Sequence, residues 1–89
     1  MSANGLNFRP NPVVVAKLLD RIAVLVDVST NRIYELNDTG ARVWDLLGQG
    51  VDLDGIVRCL VDEFDVDEVQ ASREVMSLLS QLQAERLVE

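Results

Sequence analysis

Between Arg32 and Trp44 the chain changes its hydrophobic period from that of a strand to that of a helix, with no residues left over for a loop. Arg32-Ile33-Tyr34-Glu35-Leu36 alternates in polarity like a half-buried strand. After Asn37-Asp38, the residues Val43, Trp44 and Leu47 recur at helical spacing, with Gly40 beside them. A strand that runs straight into a helix must close a sheet and open a helical layer at one point. The strand at such a junction is also a place where another chain can dock.

The length of 89 residues allows one domain, whose core hides about 60–65% of the unfolded chain's surface. With 48% hydrophobic, 26% charged and only 4% aromatic residues, that core has to be filled by aliphatic side chains.

Eight basic and fifteen acidic residues give a net charge of −7, a field that repels phosphate backbones and makes nucleic acid a poor partner. The longest apolar stretch, Ile22-Ala23-Val24-Leu25-Val26, is far short of the roughly 20 residues of a spanning helix. The start Met1-Ser2-Ala3-Asn4-Gly5 has neither a basic region nor an apolar core, so no secretory signal is visible and a cytoplasmic location is expected. One cysteine permits no internal disulfide. The absence of histidine removes the usual general base near neutral pH, the commonest zinc ligand and the Ser/His or Cys/His pairs.

Polar residues 1 to 9 lead into Pro10-Asn11-Pro12, which favours an extended approach. The β-branched run Val13 to Leu19, a turn at Asp20-Arg21 and a second run from Ile22 to Val28 predict a hairpin. Asp27 to Asn31 supply turn-forming side chains, with Asn31 suited to a left-handed conformation, before the third strand. In such a meander the third strand keeps one unpaired edge, with Tyr34 and Leu36 facing inward. Asp38 is expected to cap the first helix, which Gly48-Gln49-Gly50 stops. Asp52 is expected to cap the second, where Leu53, Ile56, Val57, Leu60, Val61 and Phe64 recur. Asp65-Val66-Asp67-Glu68 has the form of a capping box opening a third helix that reaches about Glu85. The order is α+β and winged helix-turn-helix-like: a three-stranded antiparallel meander followed by three helices.

On the third helix Ala71, Val75, Leu78, Leu79 and Leu82 form the main apolar stripe. Val69, Ser72, Arg73 and Met76 lie on an adjoining flank that either completes the core or walls a groove. The carboxylates from Asp52 to Glu68 fail as a calcium loop, because counting from Asp52 puts Val57 where the sharp turn needs glycine. They read as helix caps and a solvated face. Cys59 has no second cysteine or histidine and reads as a small filler, and Gly48-Gln49-Gly50 follows a helix where a phosphate loop precedes one. No catalytic residue, metal site or cofactor is expected. What remains is an open strand edge beside an amphipathic helix, which suits peptide capture by strand addition. The residues alone leave this reading level with an inert scaffold, because short edges flanked by charges also discourage pairing.

The run Ile33-Tyr34-Glu35-Leu36-Asn37-Asp38-Thr39-Gly40-Ala41-Arg42-Val43-Trp44-Asp45-Leu46-Leu47 resembles the PqqD-like family, the RiPP recognition elements. These bind leader peptides of ribosomally made, post-translationally modified peptides. The Val-Leu-Val strand with a polar hairpin before Tyr-x-Leu-Asn, the second helix ending at Phe64, and the closing Leu82 to Val88 agree in order, and the likeness covers about residues 12 to 88. It implies an N-terminal extension over residues 1–11 and a leader-peptide recognition domain over residues 12–89. It implies a non-catalytic adaptor without cofactors that presents the leader region of a precursor peptide to a protease or modifying enzyme. Tyr34 with Thr39-Gly40 is most similar to the stand-alone lasso-peptide members. The implied peptide contacts are Arg32, Ile33, Tyr34, Glu35 and Leu36 on the strand and Val69, Ser72, Arg73 and Met76 on the helix. The competing readings are a winged-helix DNA-binding regulator and a structural subunit of a larger enzyme. The first is opposed by the third helix, where Arg73 and Arg86 face Asp67, Glu68, Glu74 and Glu85.

Overall fold

In the computed structural model, which describes residues 8–89, β1 (Val14–Leu19), β2 (Ile22–Asp27) and β3 (Arg32–Leu36) precede α1 (Asp38–Gly48), α2 (Leu53–Glu63) and α3 (Glu68–Ala84). Of the extension expected over residues 1–11, residues 1–7 lie outside the described range. The sheet is antiparallel in the order β1-β2-β3, so the fold is the α+β meander and helical layer expected.

Both turns rest on residues that tolerate positive φ. Asp20 at φ 59° turns β1 into β2, and Asn31 at φ 61° completes the approach to β3. Asp27 organises the second turn. Its Oδ1 accepts from the Ser29 hydroxyl at 2.6 Å, the Ser29 amide at 2.9 Å and the Thr30 amide at 3.3 Å. The Ser29 hydroxyl bond is the largest influence holding the Asp27 carboxyl below its ordinary pKa.

One sheet face supplies Ala23, Leu25 and Leu36 to a core completed by Val43 and Leu47 of α1, Ile56 and Leu60 of α2, and Val75, Leu79 and Leu82 of α3. Fully burying one such leucine contributes about 1.5–3 kcal/mol, so this layer dominates stability. The opposite face is not polar, as a half-solvated sheet would ordinarily have it. Val15, Val26 and Ile33 form one cross-strand row there, and Lys17, Val24 and Glu35 the next.

The helix starts differ from expectation by one or two residues. Asn37, not Asp38, caps α1: its backbone is extended and its side chain accepts from the Gly40 amide at 2.8 Å. Asp38 is already helical, and its carboxylate accepts only from the neighbouring Thr39, through its amide and its hydroxyl. Asp67, not Asp65, caps α3 by accepting from the Gln70 amide at 2.7 Å. Glu68 is therefore the first helical residue rather than the third, and no capping box forms. Asp52 caps α2 as expected, through the Gly55 amide.

Two features had no sequence signal. The Arg42 guanidinium grips both Glu63 oxygens at 2.8 and 2.9 Å and Asp45 at 2.7 Å, joining α1 to the end of α2. The Arg42 hydrogen bond, ahead of its charge, lowers the Glu63 pKa. Past α3, Arg86 stands at φ 60°, so that the Leu87 amide donates to the Leu82 carbonyl and the Arg86 amide to the Gln83 carbonyl. This turn buries Leu87 and Val88 and lays the tail against residues 9–11, where the amides of Arg9, Asn11 and Glu89 donate hydrogen bonds to the carbonyls of Glu89, Leu87 and Arg9.

Arg86→Gly should raise stability by about 0.5–1 kcal/mol in urea unfolding, since glycine takes the left-handed conformation without steric cost. Arg42→Met should lower stability at neutral pH only slightly, because the pair is partly exposed. The Glu63 pKa is depressed in the fold, so the Glu63 part of this deficit is present above the unfolded value and fades as pH falls through the folded one. Unfolding of both proteins from neutral to acid pH checks it.

Candidate functional site

β3 is hydrogen-bonded to β2 on one side only, so among the described residues its other edge carries free amides and carbonyls. Beyond that edge runs α3, and between them lies a trough in two lobes. One lobe, about 480 Å³, lies between Ile33–Leu36 and α3, with Leu78, Gln81, Leu82 and Glu85 on the helix side. The other, about 500 Å³, continues from Leu36 past Asn37, Thr39 and Gly40 to Glu74, Ser77 and Leu78. Glu35, Leu36, Leu78 and Gln81 line both lobes and mark the middle.

The direct β3–α1 junction builds this shape. A Cβ on Gly40 would stand 3.3 Å from the Leu36 Cβ and 3.3 Å from Asn37 Oδ1, so the bare backbone lets the first turn of α1 close on the strand end without these neighbours giving by a few tenths of an ångström. At the other end Tyr34 donates its hydroxyl to Glu85 Oε1 at 3.0 Å, and Arg32 reaches the same oxygen at 3.4 Å. Tyr34 first, and Glu85 after it, raise the Arg32 pKa. This cluster ties the start of β3 to the end of α3 across the trough.

The trough has an apolar floor of Leu36, Leu78 and Leu82 and an acidic rim of Glu35, Glu74 and Glu85. Neither lobe is lined by a lysine or arginine. No group of three or more His, Cys, Asp or Glu among the described residues could hold a metal ion, and no helix there is long and apolar enough to cross a membrane. Cys59 is half-buried. The arrangement offers main-chain hydrogen bonds along an edge and apolar pockets beside it, which is the chemistry of strand addition.

The expected strand residues Ile33, Tyr34, Glu35 and Leu36 line the trough, while Arg32 sits at its closed end. The helix side differs from expectation. At 100° per residue, Glu74, Leu78, Gln81 and Glu85 lie on one flank of the buried stripe, and Val69, Ser72, Arg73 and Met76 lie on the other. The latter four line neither lobe, and with Val69 67% and Met76 46% exposed they do not complete the core. Periodicity places both flanks beside the stripe and does not say which one meets the sheet. Leu78, at the margin of the stripe, was the available signal.

A family model described as coenzyme PQQ synthesis protein D (PqqD) matches residues 23–88. No curated protein matches the chain significantly. Among solved structures the chain is similar to TbiB1 in complex with the TbiA(beta) leader peptide, with a TM-score of 0.86, 28% identity, and coverage of 91% of this chain and 94% of that one. It is also similar to a lasso peptide synthetase B1 complexed with the leader peptide, with a TM-score of 0.85, 25% identity, and coverage of 93% and 98%.

Tyr34→Phe removes one exposed hydrogen bond to a carboxylate and leaves the ring in place. Stability should fall by under about 1 kcal/mol in denaturant unfolding, while the Glu85 side chain becomes more mobile in relaxation measurements.

Proposed function

The chain belongs to the PqqD family, coenzyme PQQ synthesis protein D, and from that membership we propose that it is a non-catalytic, cytoplasmic adaptor that binds the leader region of a ribosomally made precursor peptide and presents it to a protease or modifying enzyme. The likeness to two proteins solved with leader peptides, one of them a lasso peptide synthetase B1, supports the lasso class. The observation that carries the reading is the unpaired β3 edge facing α3 across an apolar-floored trough.

The leader enters as a fourth strand. Its backbone pairs with residues 32 to 36, which supplies affinity that depends little on sequence, and its alternate side chains drop onto Leu36, Leu78 and Leu82. Gln81 and Glu85 meet it from the helix. Val69, Ser72, Arg73 and Met76 stand on the far flank and take no part. Winged-helix binding of duplex DNA has no support at this surface, because the ionisable residues lining both lobes are carboxylates together with Tyr34.

Titrating the labelled protein with its candidate leader should shift the amides of residues 33–36, 78 and 81 and leave residues 69 and 73 unmoved. Gln81→Trp, which fills the trough from an exposed position, should weaken binding by about tenfold or more, equivalent to roughly 1.4 kcal/mol. Arg73→Glu should leave affinity within about twofold. Saturable binding that spares β3 and α3 sinks the proposal.

A further inference from the structure

The outer face of the sheet carries a cross-strand row of apolar side chains. Val15 is 55% and Ile33 68% exposed, and Val26 is half-buried between them. Val15, Val26 and Ile33 thus form one contiguous apolar row rather than scattered single side chains.

Its charges identify the occupant. The chain carries a net charge of −7, yet the charged residues on these two rows are one Lys17 and one Glu35, at opposite ends of the row centred on Val24. A two-fold interface requires a surface complementary to itself. Take a two-fold axis parallel to the strands, between two stacked sheets. It places β2 on β2 and β1 over β3, so Val24 and Val26 meet their own copies, Val15 lies over Ile33 of the second copy, and Lys17 lies over its Glu35. At the usual spacing of about 10 Å between stacked sheets, Lys17 and Glu35 are within their combined reach.

We propose that the outer sheet face is a self-association surface, pairing two copies of this chain face to face with reciprocal Lys17–Glu35 ion pairs. The geometry also sets its strength. Three strands about 4.8 Å apart and six residues long cover roughly 300 Å² in projection per copy, well below a standard interface of about 1,600 Å² in total. Two copies carrying −7 each also repel one another. The dimer is therefore weak and concentration-dependent, and salt that screens the net charge strengthens it. The β3 backbone edge stays open, since the stacking covers a face of the sheet and not its edge.

Sedimentation of the full chain tests this, from about 10 μM to about 1 mM in roughly 0.5 M salt, where the Debye length is a few ångström. The average mass should rise from 9.9 kDa toward twice that value. Val15→Asp should abolish the rise. Lys17→Glu and Glu35→Lys should each weaken association by about tenfold or more, and the double reversal should restore it. These positions are exposed, so circular dichroism should show all variants folded. A single-copy mass throughout overturns the proposal and leaves the face to a different protein. A double reversal no stronger than the single variants overturns the two-fold arrangement.

Discussion

One hydrogen bond sets the geometry on which everything else depends. Asn37 Oδ1 accepts from the Gly40 amide at 2.8 Å, so the chain passes from strand to helix with no intervening loop. A longer connection could have swung α1 over the β3 edge and buried it. With no slack, α1 has to leave on the inner side of the sheet, where Val43 and Leu47 meet Leu25 and Leu36 in the core. α2 and α3 pack onto the surface that α1 presents, and β3 remains the last strand.

The meander, its two turns and the three helices were legible because each element keeps a clean period and each turn has a residue suited to its backbone. Asp27 and Asn31 between β2 and β3 are examples. Two adjacent residues able to cap, Asn37-Asp38, or alternating carboxylates, Asp65 and Asp67, blurred the helix starts. Local chemistry there permits either residue, and only the packing of the helix selects one. The helix wall of the trough was less legible for a different reason. A buried stripe on α3 has two flanks, and only the placement of α3 beyond the β3 edge puts Leu78 and Gln81, rather than Met76 and Arg73, across the trough from β3. Arg42 and Glu63 are 21 residues apart, too far for any local pattern to pair them.

The sheet separates two kinds of recognition. Its edge presents amides and carbonyls, which any extended segment can satisfy, so selectivity has to come from the trough: an apolar floor and three carboxylates with no lining cation. Its outer face presents side chains only, and complementarity there depends on shape and on one pair of opposite charges. Ile33 and Glu35 belong to both, lining the trough and standing on the outer face. In a domain of this size both surfaces are left incompletely buried, at the expense of stability that only the inner face supplies.

The pairing of residues 9–11 with the tail at 87–89 has a topological meaning. Arg9 and Glu89 exchange backbone hydrogen bonds in both directions, at 3.0 and 2.8 Å, so residues 9 and 89 meet at one spot on the surface. Polypeptide attached to either side departs from that single anchor, and splicing the domain into a loop of a larger enzyme would stretch its host hardly at all. Such a unit can travel between proteins as a cassette, its trough and its sheet undisturbed by whatever it is joined to.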